Sequence, residues 1–430
     1  MTEPTQPRRR EFAGRVRRLT VDVSPLRASR DFRLLWTGEA ISQIGSQITL
    51  VALFVQVFTL THSSVAVGAV GLVQLVPMIL VSIGFGPQID RFDRRRILLG
   101  AQLGLMVSSV LLLIGAQLHH PPLALIYGAA ALNAAFVSIS MPTRAAMTPN
   151  FVAPDQLAPA AALNQVMWNG AGVVGPALGA IVLGSHVPRL SWAYGIDVAS
   201  YLVAIAFALM LRPQLPTRDP DEEWVGGWSA VSAGFRFLEG RRVLQSTFTI
   251  DVVAMVFGMP RVLFPVLAAT RFHDGPQAVG WMFSAVGFGA LTGALTSGWV
   301  GRVRRQGLAI IVSVAAWGSA ITAFGLVGDR LWLALGCLAL AGGADVISAV
   351  FRSTIQQTTI PDELRGRLSA FNIFVVAGGP RVGDFEGGVV ASIFTPEVSV
   401  VSGGLLCLLG VVVIATTVPR FARWRVGDPP

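Results

Sequence analysis

Apolar stretches of about 20 residues, the length a helix needs to cross the hydrocarbon core of a bilayer, recur along the whole chain. They fall at 34–60, 66–88, 96–118, 122–143, 161–184, 191–211, 244–270, 278–300, 307–327, 331–351, 368–393 and 398–418. In hydrocarbon every backbone N–H and C=O must find a partner inside a helix or a closed barrel, and barrel strands would be shorter and alternating. Twelve membrane-spanning helices are therefore expected. Composition agrees: 53% of the 430 residues are hydrophobic and 13% are charged, against about 25% charged in a soluble domain.

The arginines give the stretches a direction. All 33 basic residues are arginine, which excludes any phosphate loop that needs a lysine. One set of connections holds Arg8 to Arg33, Arg91 to Arg96, Arg144, Arg212 to Arg242, Arg302 to Arg305, Arg352 to Arg367 and Arg420 to Arg425. The opposite set holds Arg189, Arg271 and Arg330. By the positive-inside rule both termini are expected in the cytoplasm. The net charge of +9 then faces anionic lipid headgroups rather than nucleic acid. The Arg-rich residues 1–32 do not read as a secretory signal. The five histidines, His62, His119, His120, His186 and His273, lie in the Arg-poor connections without a shared ligand spacing, so they read as polar loop residues and no metal is expected. Cys337 and Cys407 sit in apolar runs and read as small buried residues.

The chain divides into a cytoplasmic segment 1–33, a six-span bundle 34–211, a linker 212–243, a second six-span bundle 244–418 and a cytoplasmic tail 419–430. The linker opens Pro-rich and polar; Trp228, Val231, Phe235 and Leu238 then recur at helical spacing, which suggests a helix lying on the membrane surface. The two bundles share a pattern. Arg144, "APDQL", "LNQ" and "GPALG" in the first answer to Arg352, "IPDEL", "FNI" and "GPRVG" in the second. A parallel repeat of two six-span halves, with a path at their interface, is a known transporter architecture.

Charges inside the spans need a reason, because each costs about 3 kcal/mol at the bilayer centre. "VVAGGPRVGDFEGGVVASIF" (375–394) keeps Arg381, Asp384 and Glu386; Glu39, Asp251, Arg261 and Asp345 lie in other spans. Arg381 and Asp384, three residues apart, share a helical face, as do Asp345 and Arg352, seven apart. Either these groups pair and fix helix packing, or a carboxylate binds and releases a proton as its surroundings change. Asp384 is the first candidate for that role, followed by Glu386 and Glu39, with Asp251 and Asp345 beside them. A cargo path would be lined by polar and aromatic groups within the spans: Gln43, Gln47, Gln74, Asn133, Gln165, Trp168, Asn169 and Asn372. Hydrogen-bonded helix packing uses the same residue types.

Two motifs carry a resemblance. "GPQIDRFDRRRILL" (86–99) resembles the loop motif of the major facilitator superfamily at Gly86, Asp90, Arg91, Arg94, Arg95 and Leu98, with Asp93 in place of the usual second glycine. "GAGVVGPALGAIVLG" (170–184) resembles the fifth-helix motif of drug/proton antiporters at Gly172, Gly175, Pro176 and Gly179. With "FRLLWTGEAISQIGSQI", "NFVAPDQLAPAAALNQ" and "TIPDELRGRLSAFN", nearly the whole chain resembles the branch that includes bacterial enterobactin exporters and related drug exporters. The resemblance implies an all-α membrane protein, with twelve helices in two pseudo-symmetric bundles, in the bacterial inner membrane. It implies a cytoplasmic latch at Asp90, Arg91, Arg94 and Arg95. It also implies alternating-access export of a drug-like compound or siderophore in exchange for protons, by a monomer with no cofactor. Uptake or facilitated diffusion by the same fold is the alternative. A membrane-embedded enzyme would need a metal, nucleophile or phosphate motif, and no HExxH, paired Cys-His spacing or phosphate loop occurs.

Overall fold

The computed structural model describes residues 22–185, 188–214, 232, 236–359 and 362–425; the side chains of 86–91, 362–374 and 377 lie outside the described set. Every regular element among these residues is helical. The long helices are α1 (Arg30–Thr61), α2 (Ser64–Arg91), α3 (Arg94–Gln117), α4 (Leu123–Phe151), α5 (Leu157–Leu183) and α6 (Leu190–Leu209). In the second half they are α7 (Arg242–Phe257), α8 (Pro276–Thr296), α9 (Gln306–Leu326), α10 (Leu331–Thr359), α11 (Asp362–Ile393) and α12 (Pro396–Thr417). Eleven helical segments among the described residues are long and apolar enough to cross a membrane. α11, of which 362–374 and 377 lie outside the described side chains, holds Arg381, Asp384 and Glu386 in its described part. Of the expected linker helix, Ser232 and 236–238 are helical and Leu238 is buried; Trp228, Val231 and Phe235 lie outside the described residues, as does His186.

The packing repeats with an offset of six helices. In the first half α1 packs on α5 and α6, α2 on α4, and α3 on α4 and α6. In the second, α7 packs on α11 and α12, α8 on α10, and α9 on α10 and α12. His62 and His273 end the first span of each half in the left-handed conformation, at φ 47° and 54°. The halves meet through α2 on α11 and α5 on α8.

Two expectations are corrected. The stretch 244–270 is not one straight span. α7 stops at Phe257, and the chain continues through a 3-10 turn (Pro260–Leu263), a short turn (Phe264–Leu267) and a π turn (Ala268–Phe272). Pro260 and Pro265 lack the N–H groups a continuous helix would use. The Gly258 carbonyl freed by the break accepts from the Trp317 indole N–H of α9 at 3.0 Å. Secondly, Arg144 and Arg352 are not loop residues. α4 and α10 run past the end of their apolar stretches, to Phe151 and Thr359, and hold these arginines within the helices.

The contacts between halves gather toward the Arg-poor end of the spans. Ser64 Oγ donates to the Gly388 carbonyl at 2.9 Å, Ser284 Oγ to the Val173 carbonyl at 2.8 Å, and the Gln277 N–H to the Gly184 carbonyl at 3.1 Å. The Phe54 and Phe283 rings meet at 6.0 Å. Backbones touch here. A Cβ on Gly68 of α2 would come within 2.5 Å of the Asp384 carbonyl, and one on Gly280 of α8 within 2.5 Å of the Pro176 carbonyl. Gly68→Leu and Gly280→Leu should each hold this end apart. Spin labels at the exposed Leu118 and Asp329 should then report a longer distance between the halves than in the parent chain; an unchanged distribution would contradict the close approach.

Candidate functional site

Each half carries the same buried ion pair. Glu39 on α1 meets Arg144 on α4, Oε1 to Nε 3.2 Å, with about a tenth of each side chain exposed. Asp251 on α7 meets Arg352 on α10, Oδ1 to Nη1 2.8 Å, equally buried. The helix offset of six that relates the halves carries one pair onto the other. The second pair has an addition: Asp345, one face with Arg352 on α10, lies 3.8 Å from Nη2 and is 31% exposed. Arg352 also donates to Ser348 Oγ at 3.3 Å.

A third pair sits deeper, toward the Arg-poor end. Arg261, on the 3-10 turn after the break in α7, grips Asp384 of α11 with two hydrogen bonds, Nε to Oδ1 2.8 Å and Nη2 to Oδ2 2.6 Å. Such a fork is the strongest arrangement a guanidinium and a carboxylate form. Asp384 is 1% exposed. Arg381, half-buried one turn away on the same face of α11, also lies near it, as both residues meet Gly71 of α2, while Arg261 holds both carboxylate oxygens. Glu386 is half-buried on another face of α11 and forms no ion pair among the described residues.

Asp197 on α6 was passed over in the sequence. It is fully buried and accepts from Thr49 Oγ1 of α1 at 2.8 Å, Ser109 Oγ of α3 at 2.6 Å and Ser200 Oγ at 3.4 Å. Hydroxyls from three helices, rather than a cation, satisfy it. Near it Ser46 and Tyr201 hydroxyls share a bond of 2.8 Å, and Tyr194 donates to Gln56 Oε1 at 2.6 Å. The signal was present: an acid in the middle of "WAYGIDVASYLV" (192–203) is as costly as Asp384 in its own span.

The motif residues have these places. Gly86, Asp90 and Arg91 belong to the last turns of α2, and their side chains lie outside the described residues. Asp93 caps α3 by accepting from the Arg95 N–H at 3.0 Å, and it also accepts from the Gln214 N–H at 2.8 Å. Arg94 Nη1 donates to the Ala146 carbonyl of α4 at 3.1 Å. Arg95 donates to the Ala208 and Leu209 carbonyls that end α6. In this conformation both arginines thus join elements of the first half to one another. In α5, Gly175 packs on Gln47 and Gly179 on Ile48 and Val51 of α1, while the Gly172 and Pro176 carbonyls face Gly287 and Gly280 of α8.

The polar path candidates differ in burial. Gln43, Gln47, Gln74, Asn133, Trp168 and Asn169 are half-buried and Gln165 is exposed; the side chain of Asn372 is not described. Asn133 donates to Ser108 Oγ at 3.3 Å and Gln165 to Asn169 Oδ1 at 3.4 Å. No group of three His, Cys, Asp or Glu residues suited to a metal occurs among the described residues.

Comparison with known proteins agrees with this architecture. The family model described as "transmembrane secretion effector" matches residues 20–424. An enterobactin exporter of Salmonella typhi is 28% identical over 412 residues, covering 95% of this chain and 97% of the relative. One of Citrobacter koseri is 29% identical over 398 residues, covering 92% and 93%. Among solved structures, the nucleoside transporter NupG superposes with a TM-score of 0.67 at 13% identity, covering 92% of this chain and 100% of that one. A bacterial homologue of the iron transporter ferroportin, in an inward-facing state, gives 0.66 at 13%, covering 91% and 98%. At these identities the structures speak for the fold alone.

Two expected outcomes test the geometry. Losing one partner of a buried ion pair costs about 3–5 kcal/mol, largely because the other charge is stranded. Arg261→Ala should therefore lower the temperature to which the detergent-solubilised chain stays monodisperse by more than Arg261→Ala combined with Asp384→Ala. Asp197→Leu leaves the Thr49 and Ser109 hydroxyls facing an apolar group, at about 1–3 kcal/mol for each left unsatisfied. The same melt should fall further for Asp197→Leu than for Asp197→Asn, and equal melts would contradict the hydroxyl cage.

Proposed function

The chain belongs to the transmembrane secretion effector family of the major facilitator superfamily, a class of transporters rather than enzymes, and from that premise we propose that it exports a small hydrophobic molecule, siderophore-like or drug-like, across the inner membrane in exchange for protons. The observation that carries the export reading is the end-to-end likeness to enterobactin exporters, at 95% of this chain and 97% of the relative.

The geometry bears on which side is open. The hydrogen bonds that join the halves lie toward the Arg-poor end, and the positive-inside rule puts the Arg-rich end in the cytoplasm. We read the conformation as sealed outside and open inward, the state in which an exporter loads its cargo. Both termini are then cytoplasmic. Rocking of the halves about the α2–α11 and α5–α8 contacts would reverse the access. The path lies between two halves of one chain, so a monomer suffices.

The energy source we assign is the proton gradient, with no cofactor. Acid–arginine pairs in the spans, Glu39–Arg144, Asp251–Arg352 and Asp384–Arg261, are groups whose protonation depends on burial and on the cation beside them. In proteoliposomes, an imposed pH gradient should drive accumulation of enterobactin, and a protonophore should abolish it. Accumulation that survives collapse of the gradient would remove proton antiport; absence of enterobactin movement in either direction would remove the siderophore reading.

A further inference from the structure

The repeated ion pair of the second half has one acid more than its counterpart in the first. Glu39–Arg144 in the first half is a neutral pair. Asp251–Arg352 in the second is the same pair with Asp345 added, 3.8 Å from the shared guanidinium. Subtracting the arginine offset of 208 from Asp345 gives Val137, which carries no charge. With both aspartates ionised the triad holds a net charge of −1 within the span. Two carboxylates on one cation resist ionising together, because the second gains little from a cation already engaged.

We propose that Asp251 and Asp345 share Arg352 and that Asp345 is the residue that takes up and releases the transported proton. The proposal rests on the proton-antiport reading above and names the group that performs it. Distance and access separate the two acids. Asp251 is 2.8 Å from the guanidinium against 3.8 Å for Asp345, so it is the closer partner of the shared cation. Asp345 is farther from the cation, and 31% of its side chain is left uncovered by protein.

The surroundings leave few competitors. Among the described residues, the elements that pack most closely on α10 are α7, α8, α9 and the turn Ser297–Arg302. The sequences of α8 and α9 contain no ionisable residue. α7 brings Asp251, with Arg242 at its first position, and the turn brings Arg302 at its end. On α10 itself stand Arg352, whose Nη1 also meets Ser348, and Cys337 two turns back. In the inward-open conformation the proton leaves a carboxyl oxygen of Asp345 for water, and the carboxylate left behind is held by Arg352. In the outward-open conformation a proton from the other side restores the acid and returns the triad to neutrality.

Asp384, the first candidate from sequence, is less suited. Both its oxygens are occupied by Arg261 and 1% of it is exposed. A proton arriving there must break a buried fork.

Infrared difference spectra of the full chain in liposomes, recorded across a pH titration, read the carbonyl stretch of protonated carboxyl groups directly. A band that titrates in the parent chain should be lost in Asp345→Asn and kept in Asp345→Glu. It should move to lower pH in Asp251→Asn, where the competing negative charge is gone, and stay in place in Glu39→Gln. Its persistence in Asp345→Asn would overturn the proposal. Size-exclusion profiles of each variant exclude misfolding as the cause of a lost band. In proteoliposomes with enterobactin as the probe, Asp345→Asn should lose accumulation driven by the pH gradient. A gradient effect in the parent chain that persists in Asp345→Asn overturns the assignment and leaves antiport standing. No gradient effect in the parent chain removes antiport itself.

Discussion

Hydrocarbon offers a charged side chain three ways to exist: beside an opposite charge, in reach of water, or neutralised by a proton. The interior of this chain uses different ways at different places, and the helices are arranged to permit it. Glu39, Asp251 and Asp384 each meet an arginine within 3.2 Å. The first two pairs tie the first helix of a half to the fourth, which the backbone packing joins only lightly. The polar interaction thus supplies a link where apolar contact is sparse. Asp197 takes another course and is held by hydroxyls of α1 and α3. Ion pairs of this kind stabilise less than their attraction suggests, since both charges must first be desolvated. Their firm consequence is geometric: once two such groups are buried, separating them strands a charge.

That consequence bears on how the halves can move. The ion pairs described here each lie within one half. The interface between halves is made instead of backbone carbonyls against glycines, and of single hydroxyl–carbonyl hydrogen bonds such as Ser64 to Gly388. Parting these surfaces exposes polar groups that water can satisfy and apolar groups that lipid or cargo can cover. Parting a buried ion pair would cost about 3–5 kcal/mol. The placement of the charges therefore favours keeping each half together over keeping the two halves joined.

Much of this was legible in the residues. The lengths of the apolar runs give the helices, because bilayer thickness acts on sequence locally. The repeat was visible at Arg144 and Arg352. Their partners were not. Glu39 pairs with a residue 105 positions away, and no local spacing reports such a contact. The arginines looked like loop residues because hydropathy falls at a charge, whereas the helix continues when that charge is paired. The break in α7 was hidden for the opposite reason: the segment stays apolar through Gly258 and Pro260, so periodicity had nothing to register. Only the two prolines pointed to it. Asp345 and Arg352 share a face because seven residues make two turns, and that contact could be read directly.

The break has a further effect on where charge sits. Glu39 and Thr49 on α1 are ten residues apart, as are Asp251 and Arg261 after it in the second half. On an unbroken helix ten residues place two side chains about 15 Å apart along the axis. On α1, which is unbroken, Glu39 faces α4 while Thr49 reaches Asp197 on α6 and lies by Ser109 of α3. Had α7 continued in the same way, Arg261 would face α9 and α12, the repeat counterparts of α3 and α6. The 3-10 turn at Pro260–Leu263 re-aims it to Asp384 on α11. α11 is the helix on which α2 docks, with Gly68 against the Asp384 carbonyl. A few residues of altered backbone therefore move an ion pair from the back of one bundle to the seam between both. This difference between the halves comes from the interruption of α7.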